Sequence, residues 1–485
     1  MNIVFASAET SPFAKTGGLG EVAGALPKAL AKLGEQPQVI TPFHRAAAQW
    51  FDRAGHPIEP LAEIDVRWAG WATRVHLLRS HLPSSDVPVI FVAHPAFDRP
   101  QLYAAFGGDD DLERYTLFCR SVIAACEFLG EPVDLLHTHD WHTAALNLYL
   151  QSGLREHPLF RATGSVFTIH NLHYQGRYGG DRFPWLGVSG ALWPSLEFHG
   201  DICMIKGGIV HADRVTTVSP SYAREIQTPE GGAGLDGLMR HLSHKLTGIL
   251  NGIDADEWNP ERDTLIAAPY GPGSMRGKTS CKIAIRKEAE LSAKGSRPLI
   301  GIVSRLADQK GFDIFLPAVD ALVELGFEIV GIGSGEPYYE ESFRMFEQRH
   351  RERMRFWVGF DPPLSHRIIA GADLVVVPSR YEPCGLIQMQ ALRYGTLPLV
   401  RRVGGLADTV LAWDERNPKE ATGFAFDAPD PHELFHAASV AHSVWNQRPL
   451  WRRLRSNGMA VDFSWDASAR AYREIYREAA AAHRE

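Results

Sequence analysis

The sequence of 485 residues is poor in cysteine and has no long apolar run, and both shortages limit what the protein can be. Its five cysteines are widely spaced and form no Cys-x-x-Cys pair, so neither a disulfide framework nor a zinc site is expected. No apolar run approaches the ~18 residues that a membrane span needs. The start also lacks the basic and apolar segments of a secretion signal. We therefore expect a protein of the reducing cytoplasm with no membrane partner.

An excess of positive charge is also missing. The net charge of −7 gives no support for a nucleic-acid partner, which a basic surface would attract. What the sequence does have is the composition of an ordinary globular enzyme, with 45% apolar and 22% charged residues. Its length is enough for two domains of roughly 200 to 250 residues each.

Short apolar runs alternate with longer helical patterns in both halves of the chain. Continuous apolar runs are typical of parallel strands that are covered on both faces. The alternation predicts an α/β fold with two doubly wound Rossmann-like domains facing across a cleft, where a ligand would bind. Turn-forming residues at 251–263 mark the join, so we predict domains at 1–250 and 251–460, followed by a helix at 461–485. The predicted strands are 2–7, 37–41, 88–94, 133–139, 165–170 and 214–219, then 298–305, 327–334, 354–360, 373–379 and 397–402.

A lysine precedes a glycine pair where the first strand gives way to a helix. Gly17 and Gly18 leave room for a ligand, the helix start presents N–H groups, and Lys15 adds a full positive charge. These features suit a phosphate, although a tight turn with a solvated lysine would look the same, and the spacing is not that of a Walker A loop. Pro27 predicts that the helix kinks or ends early.

The second half repeats this pattern after its own strands. Arg305 and Lys310 follow the first strand and could clamp a diphosphate, or be ordinary surface cations. Glu382 lies in a loop before a helix, where it could accept hydrogen bonds from sugar hydroxyls, cap the helix, or do both. Gly404 and Gly405 form a second glycine-lined helix start. The phosphate interpretation rests on both halves together.

Histidines follow two further strands of the first half. In His-Thr-His-Asp-Trp-His, His137 and His139 would share one face of a strand and Asp140 could be a third metal ligand. Binding of substrate, or of the loop's own polar groups, is the more common role of such a cluster. His170 ends the next strand and Asn171 follows it, so this pair is placed to bind a sugar or to satisfy its own loop.

Two other stretches resemble cofactor motifs but depart from them. The acidic run 109–111 could bind a metal, but it leads into a helix, so an acidic helix start is favoured. The segment at 331–337 has Glu336 where a dinucleotide fingerprint needs glycine. The sequence therefore predicts no metal and no cofactor.

Taken in order, several of these stretches resemble the bacterial glycogen synthases and the plant starch synthases. The matching segments are K-T-G-G-L-G-E-V, H-T-H-D-W-H-T, T-I-H-N-L-H-Y-Q-G, V-S-R-L-A-D-Q-K-G and the long block 378–410, and the likeness extends from residue 15 to 476. The resemblance implies a retaining, metal-independent glycosyltransferase of the GT-B type. The implied reaction transfers glucose from ADP-glucose to the nonreducing end of an α-1,4-glucan such as glycogen.

The resemblance also implies roles for individual residues. By its pattern Lys15 contacts the sugar nucleotide, while Arg305 and Lys310 hold the phosphates. His170 contacts the donor sugar near the reacting carbon, and Glu382 contacts the sugar hydroxyls. These five positions match the family's motifs residue by residue.

Further implied positions are Glu9 and Asp140, which line the donor and acceptor side, and a C-terminal helix that crosses back to the first domain. The chain departs from the pattern at Glu21, where the family often has Asp. Gln390 replaces a second glutamate that is common among other two-domain glycosyltransferases, which favours the synthase interpretation.

No residue in the sequence is an evident nucleophile, so we expect the leaving phosphate itself to accept the acceptor's proton. Two alternatives stay open at this point. One is a glycosyltransferase with a small acceptor, such as sucrose or a lipid sugar. The other is a sugar-nucleotide sensor or glucan-binding protein without activity. Nothing in the sequence apart from the resemblance selects ADP over UDP.

Overall fold

The computed structural model describes residues 1–68, 70–103, 109–292, 296–416, 418 and 420–483, and for Asp109 only the backbone. The chain divides into two compact units. The first consists of Met1–Gly252 and Trp465–Glu485, and the second of Ile253–Ser464. The break after Gly252 lies close to the join predicted after residue 250.

The first unit is built on a mostly parallel sheet flanked by helices. Its strands are β1 (Asn2–Ala6), β2 (Gln36–Pro42), β3 (Glu59–Trp68), β4 (Trp71–His81), β5 (Pro88–Ala93), β6 (Leu135–His139), β7 (Gly164–Ile169), β8 (Arg177–Gly179), β9 (Glu197–Phe198), β10 (Asp201–Cys203), β11 (Arg214–Thr217) and β12 (Leu246–Gly248). Its helices before residue 252 are α1 (Gly18–Lys32), α2 (Arg45–Ala54), α3 (Asp109–Leu129), α4 (Asp140–Thr143), α5 (Ala145–Gln151), α6 (Trp193–Leu196), α7 (Met204–His211), α8 (Pro220–Glu225) and α9 (Asp236–His241).

The strand order of this sheet is β12-β11-β7-β6-β1-β2-β5-β4-β3. From β12 to β5 all neighbours are parallel, and β4 and β3 add an antiparallel edge. The chain runs outward from β1 through β2 and later returns to β6 on the other side. β1 and β6 therefore form a switch point, where open α/β sheets bind ligands. The strands β8, β10 and β9 form a small separate antiparallel sheet.

Two predictions about the helices of the first unit can be compared with the structure. The sequence predicted that Pro27 kinks α1 or ends it early. An early end is wrong, because the helix continues through Pro27 to Lys32. The helix buries Val22, Leu26 and Leu30 in the core, and this packing outweighs the one hydrogen bond that proline removes. The acidic run at 109–111 does begin a helix, namely α3.

The second unit is built on a parallel sheet of six strands, β13 (Leu299–Val303), β14 (Glu328–Gly333), β15 (Met354–Val358), β16 (Leu374–Val377), β17 (Leu397–Arg401) and β18 (Phe424–Phe426). Their order in the sheet is β15-β14-β13-β16-β17-β18. The helices are α10 (Arg276–Glu288), α11 (Phe312–Phe315), α12 (Val319–Leu325), α13 (Pro337–Arg349), α14 (Pro362–Gly371), α15 (Ile387–Arg393), α16 (Gly404–Thr409), α17 (Pro431–Asn446) and α18 (Arg448–Ala460). This is the doubly wound order of a dinucleotide-binding fold, and its switch point lies between β13 and β16.

The last helix, α19 (Trp465–Ala481), belongs to the first unit. Tyr472, Tyr476 and Ala479 are fully buried in the same cluster as residues of β1 and α1. The helix lies directly on β7, where a Cβ on Gly164 would come within 2.6 Å of the Ala479 backbone. Gly164 is therefore required for this close packing. None of the helices within the described ranges is long and apolar enough to cross a membrane.

Candidate active site

Polar side chains follow the strands at the switch point of the first unit. Glu9 and Lys15 come after β1, Asp140 comes after β6, and His170 comes after β7. Because these strands are parallel neighbours, their carboxyl ends lie at the same edge of the sheet. The structure thus brings together residues that are up to 161 positions apart, counting from Glu9 to His170.

The glycine loop before α1 is organised by Glu9, which is only 3% exposed. Its carboxylate accepts hydrogen bonds from the Thr16 N–H and hydroxyl, each at 2.6 Å, and from the Gly17 N–H at 3.3 Å. The Tyr103 hydroxyl donates to the same carboxylate. A carboxylate has about four accepting positions, so the protein already occupies those of Glu9. An added contact with substrate would have to replace one of these bonds.

This arrangement modifies the phosphate prediction for the loop. Two N–H groups that could have met a phosphate, those of Thr16 and Gly17, already donate to Glu9. Lys15 forms an ion pair with Glu21 in the first turn of α1. A Cβ on Gly17 or Gly18 would have no neighbour within 4 Å among the described residues, so these leave open space beside both glycines, as a ligand contact would need.

A cluster of histidines and one aspartate lies at the ends of β6 and β7. Asp140 has a left-handed backbone (φ 53°), and its Oδ1 accepts a 2.7 Å hydrogen bond from the His170 N–H. Burial raises the pKa of Asp140 to about 7, assisted by the Glu9 charge and opposed by the backbone N–H groups of His170 and Asn171. Burial lowers the pKa of His170 to about 3, so its ring is neutral at pH 7. The Asn171 side chain accepts from the His173 N–H at 3.1 Å, within its own loop.

The hydrogen bonds formed by the ring nitrogens of His137 and His139 do not support a metal site at these two residues. Both nitrogens of His137 have partners: Nε2 lies 2.6 Å from the Thr168 hydroxyl and Nδ1 lies 2.8 Å from the Tyr476 hydroxyl. Nδ1 of His139 lies 3.0 Å from Nε2 of His170. Within the described ranges, no group of three His, Cys, Asp or Glu side chains is arranged to hold a metal ion.

The second unit places its charged residues at its own switch point. The Lys310 ammonium donates a 2.6 Å hydrogen bond to Glu382 Oε2, and the Ser379 hydroxyl donates to the same oxygen at 2.9 Å. Lys310 follows β13 and Glu382 follows β16, and these two strands are neighbours. Arg305 comes just after β13 as well, and its guanidinium is exposed with the Gln309 amide oxygen 3.5 Å away. Two predicted ligand residues are therefore partners of each other.

Gly404 and Gly405 begin α16, and close packing explains the second of them. A Cβ on Gly405 would overlap the backbone of Cys384, and the Gly405 N–H donates to the Glu382 carbonyl oxygen at 3.0 Å. The Gly405 N–H is therefore already bonded within the protein. Gly404 has a left-handed backbone (φ 45°).

A further glycine of this region, Gly311, was not predicted from the sequence. Gly311 has φ 70°, and a Cβ there would overlap the Pro378 carbonyl oxygen.

Comparison with known proteins shows the family to which both parts of the chain belong. The model of the starch synthase catalytic domain matches residues 2–241, and that of glycosyl transferases group 1 matches residues 285–458. A glycogen synthase of Anaeromyxobacter dehalogenans is 42% identical, with 98% of this chain and 99% of that one covered. A glycogen synthase of Thermotoga maritima is 40% identical, with 99% of each chain covered.

A solved structure gives the same result. The catalytic domain of starch synthase IV from Arabidopsis thaliana, bound to ADP and acarbose, has a TM-score of 0.91 and 32% identity, with 99% of each chain covered. The fold and these matches define a glycosyltransferase with two Rossmann-like domains, the GT-B class, and so confirm the predicted fold class. Within that class, the chain belongs to the family of the bacterial glycogen synthases and plant starch synthases, as the sequence motifs predicted.

Proposed function

We propose that this protein transfers glucose from ADP-glucose to the nonreducing end of an α-1,4-glucan, with retention of configuration, in the synthesis of glycogen in the cytoplasm. The observation that carries the proposal is the match to glycogen synthases over nearly the whole chain. A similar starch synthase that was solved with ADP supports an adenine nucleotide. The polar residues found at both switch points supply groups that this reaction needs.

The first requirement of the reaction is stabilisation of the leaving diphosphate. Lys310 and Arg305 follow the same strand and provide two positive charges at the switch point of the second unit. Glu382 holds the Lys310 ammonium in place through a short, largely buried ion pair. Preorganised charges of this kind typically contribute on the order of 10² to 10³ in rate. In the second unit, we assign Gly404, at the start of α16, to the diphosphate as well. In the first unit, we assign Lys15 to contact with the sugar nucleotide, with open space beside Gly17 and Gly18 among the described residues.

The second requirement is orientation of the sugar. The neutral His170 ring can form hydrogen bonds with the donor sugar near its reacting carbon, but it does not act as a general acid at neutral pH, because its pKa is about 3. Glu382 accepts from sugar hydroxyls, while Asn171 and Asp140 line the same side of the first unit as His170. Glu9 acts here by shaping the glycine loop.

The third requirement is a path for the acceptor's proton. We assign it to the leaving phosphate, which departs on the face that the acceptor hydroxyl attacks, so that no glucosyl-enzyme bond forms and no metal ion is needed. Incubation with ADP-glucose in the absence of primer, followed by mass spectrometry of the intact chain, tests this step. An added mass of one glucosyl group on the protein would contradict it.

The function itself is tested by measuring nucleoside diphosphate release from ADP-glucose and UDP-glucose in parallel. Each donor is supplied with glycogen, with sucrose-type small acceptors, or with no acceptor. We expect release of ADP that depends on glycogen, and slower release of UDP. Turnover only with a small acceptor would indicate a different glycosyltransferase, and binding without turnover would indicate a sensor.

A further inference from the structure

His139 has no role in the proposed reaction, yet it contacts the residue that we place beside the donor sugar. Its Nδ1 lies 3.0 Å from Nε2 of His170, and its ring is fully buried. The ring is stacked on Phe5 at a centroid distance of 5.9 Å and packs against His137 at 4.1 Å. These contacts fix the orientation of the His139 ring.

The hydrogen bond between the two histidines requires one ring to donate and the other to accept. Burial holds the pKa of His139 well below its usual value and that of His170 at about 3, so both rings are neutral and each carries one N–H. Two arrangements are then possible. Either His139 donates from Nδ1 to Nε2 of His170, or His170 donates from Nε2 to Nδ1 of His139.

The surroundings of the remaining nitrogen of His139 distinguish the two arrangements. Nε2 of His139 is buried and has no hydrogen-bond partner within the described part of the chain. If His170 were the donor, His139 would carry its own proton on that nitrogen, as a buried N–H without an acceptor. Orphaned buried N–H groups are rare in proteins because they lose their hydration without compensation. If His139 is the donor, its Nε2 carries only a lone pair.

The tautomer of His139 determines which ring nitrogen of His170 carries the proton that faces a ligand. His170 is 9% exposed, and no described residue forms a hydrogen bond with its Nδ1. Because Nε2 of His170 accepts from His139, the proton of His170 lies on Nδ1. The backbone of His170 is held as well, by the carboxylate of Asp140, the neighbour of His139. Asp140 has a left-handed backbone, which aspartate tolerates better than most residues.

We infer that His139 is a positioning residue that fixes His170 in the tautomer with the proton on Nδ1, so that His170 offers an N–H donor to an oxygen of the sugar. The inference rests on the proposed function for the identity of the ligand. The tautomer itself is a property of the protein without ligand.

The test compares His139→Leu, which removes the hydrogen bond, with His139→Asn, whose side-chain amide can replace the Nδ1 donor. Tyr476→Phe is the matched control, because it removes the hydroxyl that bonds the neighbouring His137 and leaves the His139–His170 contact intact. Long-range proton–nitrogen NMR of protein labelled with ¹⁵N-histidine reports the tautomer. The His170 signals are those that disappear in His170→Gln.

We expect the Nδ1–H tautomer of His170 in the wild type and in Tyr476→Phe, and a mixture of tautomers or the Nε2–H form in His139→Leu. Loss of one oriented hydrogen bond corresponds to about a tenfold lower kcat in His139→Leu, with the KM for glucan unchanged and most of the activity restored in His139→Asn. An Nε2–H tautomer in the wild type, or the same tautomer in His139→Leu, would overturn the inference. Absence of wild-type turnover with ADP-glucose would contradict the proposed function and leave the NMR result standing.

Discussion

Replacement of Lys310 by Met separates the effect of this lysine on the stability of the fold from the effect that we propose for it on the leaving group. Lys310 and Glu382 form a 2.6 Å ion pair whose side chains are 19% and 8% exposed. Removing the ammonium leaves a buried carboxylate without its ion partner. A fully buried pair broken in this way costs 3–5 kcal/mol, and the exposure of Lys310 reduces the loss to about 2–4 kcal/mol of unfolding free energy.

Lys310→Met should lower kcat by more than its loss of folding stability can explain. If Lys310 stabilises the departing diphosphate, kcat falls on the order of 10² to 10³ at a temperature where the variant is fully folded. The double variant Lys310→Met/Glu382→Gln removes both charges, so its stability recovers to within about 1 kcal/mol of the wild type. Its kcat stays low, because the positive charge is still missing.

A second ion pair of the same unit provides the control. Lys282 and Asp373 lie 2.5 Å apart with side chains 18% and 11% exposed, and Asp373 immediately precedes β16, at the edge of the sheet opposite to Glu382. Lys282→Met should lower the unfolding free energy by a similar amount and leave kcat unchanged. The measurements are urea unfolding and ADP release with glycogen as primer. Wild-type kcat in Lys310→Met, or equal losses of kcat in Lys310→Met and Lys282→Met, would refute the reasoning.

Three further predictions concern acid stability, glycine packing and metal dependence. Burial lowers the pKa of His44 to about 4, below the value of 6.5 in the unfolded chain. The contribution of the neutral His44 to the free energy of unfolding is therefore complete above pH 6.5. It is lost as the pH falls below 6.5, by up to ~1.4 kcal/mol per pH unit. In urea unfolding measured from pH 7 to 5, His44→Gln should lose less stability per pH unit than the wild type, and an unchanged slope would count against the burial argument. Gly405→Ala should destabilise the second unit and abolish turnover, because the new Cβ overlaps the Cys384 backbone. Gly17→Ala is the comparison: its Cβ has open space among the described residues, so this variant should unfold at the same urea concentration as the wild type. EDTA should leave ADP release unchanged, and activity that is lost and then restored by Mg²⁺ or Mn²⁺ would contradict the metal-independent reaction.

The fold could be predicted from the sequence where strands are buried on both faces. The parallel strands β1, β13 and β16 are largely continuous apolar runs, because helices cover both sides of the sheet. The antiparallel edge strands β3 and β4 were missed. Many of their residues are exposed, so their sequence is mixed and has no continuous apolar run.

The candidate site could be predicted only as a set of positions. Lys310 and Glu382 were found because they follow strands, and parallel strands end at one edge of a sheet. That they form an ion pair with each other depends on loop conformation, which the motif spacing does not encode. The same holds for the bonds from Thr16 to Glu9 and for the contact of His139 with His170. Their functional roles stay predictions.

The reaction that we propose is a retaining transfer of glucose from ADP-glucose to the nonreducing end of an α-glucan. It is tested most directly by NMR of the product formed from ¹³C-labelled ADP-glucose and a short maltooligosaccharide primer. We expect a labelled glucose in α-1,4 linkage at the nonreducing end of the lengthened chain. A β-linked product, a label at the reducing end, or free labelled glucose without chain extension would contradict it.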